Sequence, residues 1–211
     1  MKYIAVCIPS IGRSGKMLDD LIEVCLNERR VVYIGVYDNS DDATCHIKYS
    51  KHRPGQTIYQ EFNEFGDEWN THAHLAFLND DIELAPGSLD ALAAELDGNV
   101  DLGLISVDRD NQNTRCQPRR VRRTSGTVRL GGINSWVFMV KSGCWRAIDE
   151  RFQFWCGDDD LVRKIERNGK VVATLEGVSA KHLWSHTLNS IPGVGEATAN
   201  DMKLWQSMGH P

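Results

Sequence analysis

The sequence predicts one α/β domain with a mainly parallel central sheet and helices on both faces. Three observations carry this expectation. Short apolar runs of strand length alternate with stretches whose apolar residues recur every three or four positions. Several of the apolar runs end in clusters of Asp, Asn and Ser, where a chain leaves a buried sheet. The 211 residues are 41% hydrophobic and 25% charged, which suffices for one sizeable core.

The elements follow in order. "YIAVCIP" reads as a buried first strand, and "SGKMLDDLIEVCLNE" as a helix with Met17, Leu18, Leu21, Ile22, Val24 and Cys25 at helical spacing and Ser14 as its cap. "VVYIGVYDNSDD" is a second buried strand that stops in an Asx-type turn. "TIYQEF" reads as a short strand and "DEWNTHAHL" as a helix feeding the strand "LAFLN". "APGSLDALAAELDG" is a helix, with Pro86 near its first turn and Gly98 at its end, and "VDLGLISV" is another strand. The polar, basic run "DRDNQNTRCQPRRVRRTSGTVR" predicts a long functional loop or flap. "NSWVFMVKSGCWRAI" predicts a strand then a helix, "GDDDLVRKIERNG" a helix with acids at its start, and "VVATLEGV" a strand. The tail from Lys181 to Pro211 mixes His, Trp, Gly and Pro and ends in an expected short helix.

Bulk properties narrow the class. A net charge of -5 argues against wholesale coating of nucleic acid, while leaving room for a local basic patch. No apolar segment approaches the ~20 residues that span a bilayer, and the first apolar run is too short for a signal peptide. The six cysteines form no CxxC pair and no zinc-like spacing, as free thiols of a reducing cytoplasm would. A cytoplasmic protein is expected.

Ligands of open parallel sheets bind at the carboxyl ends of the strands. "IPSIGR", "DNSDD" and "NDDIE" fall at such ends, and "CGDDD" and "KHLWSH" are expected at the same edge. Asp38 to Asp42 alone would make a turn. Asn79 to Asp81 lie too early to cap the helix at Pro86, and one cap explains one of Asp158, Asp159 and Asp160, not three. Acids converging with His182 suit a hard cation, Mg²⁺ or Mn²⁺, which draws its remaining ligands from substrate phosphates. A metal-bridged diphosphate is therefore the expected ligand.

With these segments in this order, the chain resembles the family 2 glycosyltransferases of the GT-A fold, from the first strand to about Thr187. The segments are "CIPSIGR", "VYDNSDD", "FLNDDIELAPGSL", "RFQFWCGDDDLVRKIERNGK" and "KHLWSHT". The resemblance implies a metal-dependent, inverting transferase whose donor is a nucleoside-diphosphate sugar such as a UDP-sugar. It spans residues 1–190, with a nucleotide-binding half over 1–107 and an acceptor and catalytic half over 108–190, followed by the 191–211 tail. Pro9, Ser10 and Arg13 would border the nucleotide, and Asp38 would bond the base or ribose beside Asn39 and Ser40. "NDD" matches the D-x-D motif: Asn79 stands at the first acid position without its charge, Asp80 in the middle, and Asp81 holds the metal. His182 matches a histidine that completes the metal site. "GDDDL" resembles E-D-x-D-L, with Gly157 at the Glu position; the catalytic base is one of Asp158, Asp159 and Asp160, and register puts Asp158 at the matching acid.

The Arg115–Arg129 loop would bind a phosphate-bearing acceptor, nucleic acid included, or close over the donor diphosphate. Trp136, Trp145, Trp155 and Trp184 are candidates for a sugar-stacking platform. Three other classes compete. "SIGRSGKM" fails as a P-loop, because Ser10 replaces the first Gly and Met17 the Ser/Thr. A sugar-phosphate nucleotidyltransferase shares the sheet and metal logic. A non-catalytic carbohydrate or nucleic-acid binder would bind without turnover.

Overall fold

The computed structural model describes residues 1–10, 15–39, 50–108, 113–124, 133–183 and 193–210. Strand β1 (Tyr3–Ser10) pairs in parallel with β2 (Val31–Asp38) and with β4 (Ala73–Leu78), and β2 carries the short β3 (Ser50–His52) in parallel on its far side. β6 (Leu102–Asp108) runs parallel to β9 (Val171–His182). β8 (Val137–Val140) lies antiparallel to both β4 and β6. Two reversals restore direction, so β1, β2, β3, β4, β6 and β9 all point the same way. β5 (Ile82–Leu84), β7 (Arg115–Thr124) and β8 run against them. The order is β3-β2-β1-β4-β8-β6-β9-β5, with β7 also on β9.

Period-two alternation in β1 supplies both faces of the core. Ile4, Val6 and Ile8 meet Leu18, Leu21, Ile22 and Cys25 of α1 (Lys16–Asn27) and Leu89, Leu92 and Leu96 of α3 (Ser88–Gly98). Ala5 and Cys7 face the other layer, which holds α2 (Ile58–Trp69), α4 (Gly157–Arg167) and α5 (Val194–Ser207) through Phe62, Phe65, Leu161, Ile165 and Trp205. Phe77 anchors this second layer, with ring centroids 4.6 Å from Phe62, 5.0 Å from Phe138 and 5.1 Å from Trp145. Each such buried side chain is worth roughly 1.5–3 kcal/mol. The expected α/β layering is therefore present.

Three local expectations are corrected. "TIYQEF" belongs to α2. Thr57 Oγ1 accepts from Gln60 N (3.2 Å) while Gln60 Oε1 accepts from Thr57 N (2.9 Å), a capping box that starts a helix. Its helical period is visible only once Phe62, Phe65 and Gly66 are read with Tyr59. Second, the 141–148 stretch directly after β8 is not a helix. The side chains of α2 and its end satisfy that backbone instead: Asn70 Oδ1 accepts from Gly143 N and Trp145 N (3.0 Å each), and Asn63 Oδ1 from Ile148 N (2.7 Å). Third, Arg115–Thr124 is a strand, not a loop. It lies along β9 with Val121 opposite Leu175, and its exposed arginines hide the apolar alternation that marks inner strands. A register shift between Cys116 and Arg120 sits at Gly177, whose φ of +87° and approach to the Gln117 carbonyl exclude a side chain.

Ser14 of the expected α1 cap and the 109–112 and 125–129 parts of the basic run lie outside the described residues. Among the described residues Cys7, Cys25, Cys116, Cys144 and Cys156 form no disulfide, and no helix is long and apolar enough to cross a membrane.

Because the capping box is what starts α2, Thr57→Ala is expected to destabilise the fold by about 1 kcal/mol. A shifted urea midpoint at unchanged slope checks this.

Candidate active site

Shared strand direction brings the carboxyl ends of β1, β2, β4 and β9 to one edge of the sheet. At the first of these, Pro9 lies opposite Tyr37 and Ser10 opposite Asp38. Asn39 N donates to the Ser10 carbonyl (2.8 Å), which carries the β1–β2 ladder one residue past the strand. The Ser10 hydroxyl donates to Asp80 Oδ2 at 2.6 Å, both residues being buried. Asp38 is 1% exposed, and its carbonyl accepts from Arg53 N. Ser10, Asp38, Asn39 and Asp80 thus form one connected group. Arg13 lies outside the described residues.

The second group is built by β5 on β9. Ile82 pairs with His182, and Leu183 N donates to the Asp81 carbonyl at 3.1 Å, so backbone register sets Asp81 beside the imidazole. His182 Nε2 lies 3.0 Å from Asp81 Oδ1, with side chains 9% and 4% exposed. The Asn79 amide nitrogen approaches the same Nε2 at 3.4 Å. The Trp136 ring stacks on the imidazole, centroids 4.3 Å apart and 11° from coplanar, which removes the freedom of the His182 ring to turn. The Trp136 carbonyl accepts from Asn79 N at 3.0 Å. Glu83, whose charge stood out in the sequence, points elsewhere: it pairs with Lys181 at 3.1 Å on the surface.

The third group begins α4. Cys156 has φ +64°, in the left-handed region that non-glycine residues rarely enter, and the helix starts at Gly157. A Cβ on Gly157 would sit 2.4 Å from the Tyr59 ring, so the position can hold no side chain, glutamate included. Asp158 follows and is partly exposed. Burial raises its carboxyl to about 6, against the pull of the Asp159 N–H (3.1 Å) and of a hydrogen bond with Ser135. Asp159 is 1% exposed. Asp160 is engaged structurally: it accepts from Asp149 N (2.9 Å) and pairs with Lys164 (2.6 Å).

Ser135 and Trp136 are consecutive, so the second and third groups touch one short segment. Sequence reasoning missed Ser135 and Tyr59, because a lone Ser and a lone Tyr carry no motif. It also missed Glu61 on α2, which is 0% exposed. Burial, with repulsion from Glu64 and Asp38 opposed by Asn39 and Arg53, pushes the Glu61 carboxyl up to about 9. Of the candidate tryptophans, Trp145 is 3% exposed and Trp136 is stacked on His182, whereas Trp155 is 38% exposed three residues before Asp158. Trp184 lies outside the described residues.

No family profile and no curated protein matches this sequence. Solved structures do. Glucosyl-3-phosphoglycerate synthase from Mycobacterium tuberculosis, in complex with Mn²⁺ and UDP-glucose, superposes with a TM-score of 0.68 at 13% identity, over 100% of this chain and 80% of that one. S. aureus TarS 1–349 gives 0.60 at 15% identity, over 84% of this chain and 60% of that one. The chain has the GT-A fold. CMP:2-keto-3-deoxy-manno-octonic acid synthetase complexed with CTP superposes at a TM-score of 0.53 and 10% identity, over 97% of this chain and 100% of that one.

Among the described residues no group of three or more His, Cys, Asp or Glu is arranged around a metal. The donor set fits one nonetheless in its chemistry. A buried carboxylate oxygen and an imidazole nitrogen face each other at 3.0 Å, and a proton or a cation relieves the repulsion of their lone pairs. Two protein ligands suit a cation whose other ligands are phosphate oxygens.

A buried neutral carboxyl costs stability once the unfolded chain ionises it. Between its ordinary 4.5 and about 9, Glu61 is protonated when folded and charged when unfolded, so stability falls as pH rises through that window. Glu61→Gln removes the difference. The variant is expected to be more stable than the parent at pH 7, by up to about 3 kcal/mol, with the gain vanishing near pH 4.5. Urea denaturation across pH 4.5–8 reads this directly.

Proposed function

We propose that this chain moves a sugar from a nucleoside-diphosphate sugar to an acceptor hydroxyl, inverting the anomeric carbon, with Mn²⁺ or Mg²⁺ assisting. The observation that carries this reading is the Asn134–Trp136 link. Through Ser135 and Trp136 it joins a partly exposed carboxyl raised to about 6 to the Asn79, Asp81 and His182 group. On this reading a base and a diphosphate-cation site would border the same short segment.

Each residue then has a task. Pro9, Ser10 and Arg13 border the nucleotide, Asp38 and Asn39 take the base or ribose, and Asn79 and Asp80 the ribose and first phosphate region. Asp81 and His182 hold the cation, which when bound offsets charge on the departing diphosphate. Asp158 accepts the acceptor O–H proton. The acceptor oxygen forms its bond to the anomeric carbon as the carbon–phosphate-oxygen bond breaks, and the nucleoside diphosphate leaves with that electron pair. Direct displacement from the face opposite the leaving group inverts configuration. Asp159, buried beside Asp158, shapes the local field. Residues 1–107 supply the donor half and 108–190 the acceptor half.

Two features point to the acceptor. Trp155 offers an exposed ring three residues before Asp158 for stacking a sugar. Arg119, Arg120, Arg122 and Arg123 are exposed on β7, and Arg120 and Arg122 share Glu176 at 2.6 and 3.2 Å, which leaves the strand positive. β7 runs antiparallel to β9, so Arg120 and Arg123 stand opposite Glu176 and Ala173, six and nine positions before His182, and only an extended phosphate-bearing acceptor would reach from them to the site.

A donor screen with Mn²⁺, scored for nucleoside diphosphate release and product anomer by NMR, tests the reading. Pyrophosphate release from a nucleoside triphosphate and a sugar phosphate would replace it with sugar-nucleotide synthesis. For the base, a carboxyl at about 6 is protonated and idle below that pH, so kcat/KM should rise tenfold per pH unit up to about 6 and then level. Asp158→Asn should keep donor binding and lower kcat by ~10²–10⁴-fold. Wild-type rate in that variant would mean the base is elsewhere. Separately, Asp81→Ala should abolish turnover and weaken donor binding in Mn²⁺. Full activity in EDTA would rule out the cation.

A further inference from the structure

We propose that Asp201 of α5 is a positioning residue for Asp158, a role that rests on reading Asp158 as the base. Asp201 is 1% exposed. Its carboxylate accepts three consecutive backbone N–H groups: Gln153 at 3.0 and 3.1 Å, Phe154 at 2.7 Å and Trp155 at 2.6 Å. Successive amides turned toward one anion form a concave nest, and charge-assisted bonds of this length are the strong kind.

The clamp has little slack before the site. Cys156 comes next in its left-handed conformation, then Gly157 against Tyr59, then Asp158. A non-glycine residue at positive φ persists only where its surroundings over-determine it. Asp201 supplies that constraint from one side. From the other, the Tyr59 hydroxyl donates to the Phe154 carbonyl at 3.2 Å.

The rest of α5 reinforces the hold. Met202 Sδ lies 3.8 Å from Cys156 Sγ. Trp205 is 1% exposed, packs on Phe152 at 6.3 Å between centroids, and carries the Arg163 guanidinium of α4 at 4.9 Å. One helix therefore grips both the segment that leads into α4 and α4 itself. Its own carboxylate is spent on backbone donors and touches no reacting atom, which makes it a support for the base rather than a second base.

The test compares the full chain with Asp201→Ala and Asp201→Asn. Hydrogen exchange by mass spectrometry follows peptides over 152–158 and, as controls, over β1 and β4. A carbon-13 NMR titration follows the Asp158 carboxyl. In Asp201→Ala the 153–155 amides should exchange at least ~10-fold faster with the controls unchanged. The Asp158 carboxyl should titrate closer to an ordinary aspartate, because the loosened turn admits water. Turnover should drop ~10–100-fold in kcat with donor KM held within about twofold. Asp201→Asn, which keeps one acceptor oxygen, should fall between and covers the case in which the alanine variant does not fold. Retained protection, or an Asp158 titration and kcat identical to the parent despite fast exchange, would overturn the proposal. A parent chain that transfers no sugar while its Asp158 titration responds to Asp201 counts against the base, not against the clamp.

Discussion

The three residues Asn134, Ser135 and Trp136 are the constraint on which the site depends. Asn134 is tied to β6, its N–H donating to Ser106 Oγ at 3.1 Å and its side-chain oxygen accepting from Trp136 N at 2.8 Å. This folds the segment into a tight Asx turn just before β8. From that turn Ser135 reaches Asp158, the Trp136 carbonyl takes Asn79 N, and the Trp136 ring lies on His182. Groups from β4, β9 and α4, up to 103 residues apart in the case of Asn79 and His182, are set by one short piece of backbone.

That geometry has an energetic cost, and the fold meets it group by group. Asp38, Asp80, Asp81 and Asp159 are all buried, and like charges brought out of water repel. Asp80 is compensated by the Ser10 hydroxyl and Asp81 by His182. Glu61 is compensated least: burial, with Glu64 and Asp38 near it, outweighs Asn39 and Arg53 and raises its carboxyl to about 9. A polar edge of this kind is less stable than an apolar one and is retained where ligand chemistry needs it.

The fold was legible where apolar periodicity is unambiguous. β1, β2, β4, α1, α3 and α4 bury long runs with one clear period. The misread segments share a different property. α2 opens with residues that suit a strand in a six-residue window, the 141–148 stretch borrows its hydrogen bonds from Asn63 and Asn70, and β7 is an edge strand whose outward arginines mask Val121. In each case long-range partners outweigh local pattern.

The sequence by itself determined which chemistry is available: acids at the strand ends, a histidine ending β9, a run of three aspartates opening a helix. Those are local facts of composition and register. Only the tertiary structure decided which of them meet, because contact between β4, β9, α4 and the 134–136 turn depends on strand direction and on β8 reversing twice. It also set the three aspartates apart by their surroundings. Asp160 is held by Lys164 and Asp149, Asp159 is buried, and Asp158 alone keeps partial exposure with a raised proton affinity, because burial and neighbours set a carboxyl's chemistry and a sequence does not state them.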